Sequence, residues 1–496
     1  AERLATEAYL MDKWQGRAHP AAVQSTPTYV FSPDEPVAVS SDADVTLTKV
    51  MGNGSVYKDG AGTLTLATDN RETNRAAVAV LGGTLATSFA DNFVDRSFMR
   101  YDASRLDKMT YYVSEDNVYT NVTQIRSINK DSILLNSAKG ATGNAVTNPS
   151  LVTVEMRTGI DRPCLDFGTF NTLSGENLSS ALQNSYGNAI REFHIVYADK
   201  LAAKNPTYQS LFCSYTADYY KRDSVNLLSS SAPDYARTGY LAVDGCETSP
   251  DAPLTEGFHL ISAVPNITDD TKMVTPTLAR SARGCGGCQI AELVLYDTSS
   301  STNTVKERTY LEEQLMHKWF DAPLARWPYG IDNVSVAAGA TWRDTSASVR
   351  FLVGELDLRG TTDVAEIRVG EAMTVSGGQA KGDLGLVDGA VVTIAEALDA
   401  ETPALTVDGT LTFTGKLTLD ILPDWDGDRL DVGTYPLIHA AKFVRTDSDV
   451  PFGAADCEFT CPDALVHGRV GSLIYDAATK TLSLNVQPKG LLMIVR

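Results

Sequence analysis

Between Ala38 and Phe89, apolar residues recur at alternate positions and glycines break the runs. In GSVYKDGAGTLTLATDN, Leu64 and Leu66 follow a Gly60-Ala61-Gly62 turn. AVAVLGGTLATSF repeats the form with Val78 and Val80, then Gly82-Gly83, then Leu85. A period of two with glycine turns marks half-buried strands. The pattern resumes over residues 331 to 420, where Gly339, Gly354, Gly370, Gly389 and Gly409 fall 15 to 20 residues apart. Strand-turn units at that spacing predict the stacked rungs of a β-solenoid; a flat or sandwich-like sheet is the alternative.

From Phe93 to Trp319 the texture differs: most of the aromatics, longer polar loops and five cysteines lie here. Many short strands and turn clusters over about 225 residues predict a β-sandwich. The segment ends in CQIAELVLYD, a strand, and VKERTYLEEQLMHKWFD, whose Leu311, Leu315 and Trp319 stand at helical spacing. The first residues of the chain, AERLATEAYLMDKWQG, carry Leu4, Ala8, Met11 and Trp14 at the same spacing. Aligned without gaps, Ala1 to Trp14 is identical to Lys306 to Trp319 at Glu2, Arg3, Glu7, Leu10, Met11, Lys13 and Trp14. The helix that closes the middle segment therefore has a second copy at residues 1–16.

Four motifs follow one another in the middle segment: RYDAS, GIDRPCLDFG, REFHIVYAD and GGCQIAELVLYD running on to EEQLMHKW. In that order they resemble bacterial laminin-G-like domains, and the AELVLYD-to-MxKW signature is the most specific part. KDGAGTLTL followed by AVLGGTLATS resembles the autotransporter-associated β-strand repeat. VGTYPLIHAAKF and the final TLSLNVQPKGLLMIVR resemble the last rungs of such proteins. The resemblance implies a mainly β chain: a concanavalin A-like jelly-roll β-sandwich with flanking β-solenoid-like segments and two short amphipathic helices. The domains expected are 1–16, the closing helix of a preceding laminin-G-like module; 17–90, a β-strand repeat segment; 91–322, the sandwich ending in a helix at 305–320; and 323–496, a C-terminal solenoid-like segment. Residues 1–16 on this reading are the tail of an earlier module.

Charge narrows the partners. Against 62 Asp+Glu there are 42 Lys+Arg, a net charge of -20, which repels nucleic-acid phosphates and anionic headgroups. No apolar run approaches the roughly 20 residues of a membrane helix. The Cys285-Gly-Gly-Cys288 pair is half of a zinc or redox site, and a second such pair is needed to complete one. Disulfides in an oxidising compartment, with one of the seven cysteines left over, are the favoured expectation.

Catalytic patterns are weak. The glucanase-type arrangement E-x-D-x-x-E finds its nearest match at Glu355-Leu356-Asp357, where the third position is Gly360 and the strand lies outside the sandwich. The six histidines are scattered singly, and each reads as a surface or packing residue. The best metal candidate is DILPDWDGDRLD, whose Asp424, Asp426, Asp428 and Asp431 suggest a Ca²⁺ loop, although Tyr435 occupies the twelfth position; an acidic solvated turn is the alternative. Tyr215, Tyr219, Tyr220 and Tyr235 lie in aromatic loops suited to stacking on sugars. Asp102 and Asp166, in the family motifs, read as turn acids.

The expectation is a non-catalytic, secreted, extracellular structural or adhesion protein of the cell surface, its partners surface glycans, proteins or other copies of itself. A second expectation is a self-assembling filament subunit joined head-to-tail through an interface of Leu4, Leu10, Met11 and Trp14, because an amphipathic helix leaves no apolar face in water. A carbohydrate-active enzyme is disfavoured by the missing carboxylate.

Overall fold

The computed structural model describes residues 37–47, 54–69, 75–89, 93–113, 119–129, 134–137, 149–168, 171–172, 182–183, 189–199, 209–212, 219–221, 226–267, 277–278, 284–285, 287–299, 302–396, 398–422, 427, 429–448, 450–463 and 465–489. The chain is mainly β, with large parallel sheets. Among the described residues there are two α-helices, Asp234–Arg237 and Val305–Phe320. The first is a single turn, in a stretch whose pattern predicts an aromatic loop; Pro233 precedes it and Asp234 places a negative charge in its opening turn. Residues 1–16, the other expected helix, lie outside the described residues.

The strands form two compact units. One gathers those at 37–89 and 326–489, and the other is the stretch from Phe93 to Ala325. The two repeat stretches, far apart in sequence, are thus neighbours in space. Arg75–Val80 pairs in parallel with Trp327–Val336, matching Val78 to Val334 and Val80 to Val336. Thr84–Phe89 pairs likewise with Thr341–Asp344.

Parallel pairing stacks equivalent side chains on one another, with local register shifts at Leu66/Asp69, Val353/Glu355 and Val407/Thr410. One column reads Val37, Val56, Val78, Val334, Leu356, Met373, Val392, Leu419 and Phe459. All but the last are buried, which explains why the alternation is so regular in the sequence: every second residue belongs to such a column. A second column, Val45, Leu64, Leu85, Trp342, Thr362, Ala380, Val407 and Ala440, runs through the strands after each turn. The last two strands, Arg469–Asp476 and Thr481–Pro488, change the pattern to antiparallel pairing.

Turns between rungs approach one another too closely for side chains. A Cβ on Gly83 would lie 2.4 Å from the Gly62 carbonyl oxygen, at φ +61°. A Cβ on Gly382 would lie 2.0 Å from the Val364 carbonyl oxygen.

In the second unit, antiparallel strands dominate. Ile190–Asp199 lies between Phe258–Val264 and Cys288–Asp297, and Met99–Asp102 pairs with the far side of Cys288–Asp297. Almost every residue of the two long central strands is buried, so both faces of this sheet are covered. Phe193, Ile195, Tyr197, Leu293 and Leu295 join one apolar core, which also takes Leu311, Leu315, Trp319 and Phe320 of the Val305–Phe320 helix.

Cys164, Cys246, Cys288, Cys457 and Cys461 form no disulfide, so the expected framework is not seen at these five cysteines. Cys164 and Cys288 serve instead as core residues with no exposed surface, and burial pushes the Cys457 thiol up to about 12.

Gly382→Ala is expected to destabilise the ladder unit by about 2 kcal/mol or more in urea denaturation, whereas Gly453→Ala, with nothing within 4 Å of the new methyl group, changes stability little. Equal effects at the two positions would show that the turns give way freely.

Candidate functional site

Two acids and a histidine interrupt the apolar run of the central strands. Glu192 stands two residues before His194 on Ile190–Asp199, and Glu292 lies on Cys288–Asp297 opposite Val196. Two-residue periodicity places them on a common sheet face with Ser262, which is paired to His194. All four are fully or almost fully buried. A buried carboxylate is costly unless it is paired and hydrogen-bonded, and here each acid is.

Glu292 accepts from the Arg100 Nε at 2.7 Å, the Lys318 Nζ at 2.5 Å and the Trp319 indole Nε1 at 2.5 Å. Lys318 also reaches Asp102 at 2.6 Å, and Arg100 reaches Asp95 at 3.0 Å. Glu192 accepts from the backbone and side-chain nitrogens of Asn303, bonds the His194 Nε2 at 3.0 Å and pairs with the Arg308 Nε at 3.2 Å. Tyr240 donates to the buried Glu312 carboxylate at 3.1 Å, and the Arg308 guanidinium lies 4.6 Å from the Tyr240 ring centre. The polar band is therefore a set of bonds between a helix and the sheet beneath it, made by Arg308, Glu312, Lys318 and Trp319.

The helix is held at both ends as well. Thr304 and Glu307 form a reciprocal capping box, and Arg96 pairs with Glu307. Asp321 ends the helix in the left-handed conformation and accepts from Arg162 at 2.6 Å. Burial alone would raise the Asp102 carboxyl, but the Lys318 ammonium and the Ser104 bonds outweigh it and hold it below the ordinary carboxylate range. Glu192 is lowered in the same way: His194 and Arg308 overcome the penalty of burial. Asp95 is likewise lowered, by Ser97 and Arg100 against burial.

Chemically, Ser262, His194 and Glu192 have the connectivity of a serine–histidine–acid triad, with the Ser262 Oγ 2.9 Å from the His194 Nδ1. Burial of all three leaves no approach for a substrate, and Glu192 is engaged by Arg308 and Asn303 in addition. The arrangement works as a clamp.

Of the four tyrosines expected to stack on sugars, the structure describes the side chains of Tyr219 and Tyr235. Tyr219 is a core residue, wholly buried, its ring edge-on to Phe193 at 4.8 Å, and offers no face to a ligand. Tyr235 lies half-buried against the same core in the Asp234–Arg237 turn. Tyr220 is described only as backbone in Tyr219–Lys221, and Tyr215 lies outside the described residues.

Of the acidic loop, Asp424, Asp426 and Asp428 lie outside the described residues. The Asp431 carboxylate is 93% exposed and faces the Arg469 Nη2 at 3.4 Å, a cation already beside it. Among the described residues, no three metal-ligating side chains gather. Leu4, Leu10, Met11 and Trp14 also fall outside the described residues.

Asp102 and Asp166 cap the turns that follow them, donated to by the Ser104 and Gly168 backbone nitrogens at 2.8 and 2.7 Å. At the incomplete carboxylate motif, a Cβ on Gly360 would lie 2.2 Å from the Ala337 carbonyl oxygen. The turn thus has no room for the missing acid. The sequence reading overlooked the polar band. Its signals were Glu192, His194 and Glu292 in otherwise apolar strands, and the polar identities shared by residues 1–14 and 306–319. No family model matches this chain, and no curated protein or solved structure is detectably similar to it.

Lys318→Met leaves Asp102 without its ammonium partner and Glu292 with one cation fewer; a loss of about 2–3 kcal/mol at pH 7 is expected by chemical denaturation. Because the folded Asp102 carboxyl is lowered, its stabilisation is complete above the unfolded value of about 4 and is lost as pH falls through the lower folded value. The gap between the wild-type chain and the variant therefore narrows below about pH 4. A gap independent of pH would show that Lys318 acts through packing alone.

Proposed function

We propose that this chain is a non-catalytic structural or adhesion protein of the bacterial cell surface, secreted and working outside the cell. On this reading the ladder unit is a β-solenoid that acts as a stalk, and residues 93–325 form a jelly-roll sandwich of the laminin-G-like type carried on it. Its partners are surface glycans or proteins, or further copies of itself.

The observation that carries the reading is the parallel ladder that continues from Arg75–Val80 directly into Trp327–Val336. A ladder that resumes in register after some 250 residues treats the second unit as cargo. The polar chemistry of that unit supports the same view, because its buried acids are spent on holding a helix. No helix among the described residues is long and apolar enough to cross a membrane.

A glycan and matrix-protein array probed with the labelled chain, run beside a reducing-sugar assay on soluble glucans, tests the reading. Saturable retention that excess unlabelled chain competes away, with no sugar release above buffer, is expected. Sugar release abolished by one carboxylate-to-amide substitution would establish an enzyme instead.

A further inference from the structure

The structure gives a meaning to six of the seven identities between residues 1–14 and 306–319. In the resident helix, the positions matching Arg3, Glu7, Lys13 and Trp14 are Arg308, Glu312, Lys318 and Trp319. These are the four side chains that bond the sheet: Arg308 to Glu192, Glu312 to Tyr240, Lys318 to Glu292 and Asp102, and Trp319 to Glu292. Glu2 matches Glu307 of the capping box, and Leu10 matches the buried Leu315. An amphipathic pattern alone requires none of these polar identities; a receptor of the same kind accounts for them.

The apolar side differs. Ala5, Thr6 and Gln15 stand where the resident helix buries Tyr310, Leu311 and Phe320. The copy thus keeps the residue types that fix the resident helix's orientation and has less apolar bulk to bury, so the resident wins whenever both compete for one face.

We propose that the Ala1–Trp14 segment of one copy docks on the sheet face of a second copy's 93–325 unit when that unit's own Val305–Phe320 helix has left the face, and not while the resident helix holds it. Such a contact joins unlike surfaces and propagates from copy to copy. The inference rests on the reading of the 93–325 unit as a sandwich closed by its helix. It deepens the assembly alternative by naming the receptor: Glu192, Glu292, Asp102 and Tyr240.

The test uses the full chain with the resident helix weakened toward the copy, as Leu311→Thr, and as Phe320→Gln should the first fail to fold. Sedimentation is measured over a hundredfold range of concentration. Concentration-dependent oligomers are expected from the weakened chain, and essentially none from wild type. Adding Arg3→Met and Lys13→Met to the weakened chain should loosen association at least tenfold. A synthetic peptide of residues 304–321 should disperse the oligomers by reoccupying the face.

Association that survives Arg3→Met and Lys13→Met would overturn the proposal, as would a weakened chain that stays monomeric. Binding of the 304–321 peptide to that monomer would show that the helix-closed sandwich stands while the inference about residues 1–14 fails. Without peptide binding, both fail.

Discussion

Register in the parallel ladder is the constraint on which the rest depends. Rungs about 4.8 Å apart leave each side chain resting on its equivalent above and below, so a one-residue slip would exchange every buried position for an exposed one. The match of Val78 to Val334 and Val80 to Val336 carries this register across the interruption. Closing so long a loop is less costly than its length suggests, because closure entropy grows only with the logarithm of length. The second unit reduces it further by its own topology: its early strand Met99–Asp102 is hydrogen-bonded to its late strand Cys288–Asp297.

Two departures from the apolar columns show how firmly the backbone holds. Lys58 occupies the position between Val39 and Val80, and Arg75 stands opposite Ile331. Lys58 is fully buried, and its amino group donates to the carbonyl oxygens of Asp59, Gly60 and Gly82. Burial lowers its pKa, against the opposing pull of Asp59, Asp42 and Asp44. Arg75 lies over the Phe89 ring at 5.5 Å. In both cases a long apolar stem fills the column while the charged end finds polar or aromatic company.

Those same departures mark how far the sequence could be read. Alternation and glycine spacing disclosed strands and turns because columns and tight turns impose them residue by residue. Joining of the two repeat stretches was illegible: nothing local in AVAVLGGTLATSF says that its next partner is NVSVAAGA, some 250 residues on. The helix at 305–320 was legible from its apolar spacing, and its cap from Thr304 and Glu307 in hindsight. The tyrosines misled, since an aromatic among polar neighbours reads alike whether it faces solvent or, like Tyr219, the core. For the polar band, the clue lay in comparison: residues 1–15 differ from 306–320 where Tyr310, Leu311 and Phe320 are buried, and agree at Arg308, Glu312 and Lys318.

That inversion follows from how the two kinds of contact specify structure. An apolar face tolerates exchange among side chains of similar bulk, and what it supplies is mainly free energy. A buried carboxylate tolerates little, since Glu292 without Arg100, Lys318 and Trp319 is a charge stranded away from water. Only one rotation and one axial position of a helix bring an ammonium and an indole to the same oxygen while a guanidinium about three turns earlier meets Glu192. The band therefore selects which helix covers the sheet and in what register, and the surrounding apolar residues determine how tightly it is held. Recognition and strength reside in different side chains of one short element, so either can vary while the other is preserved.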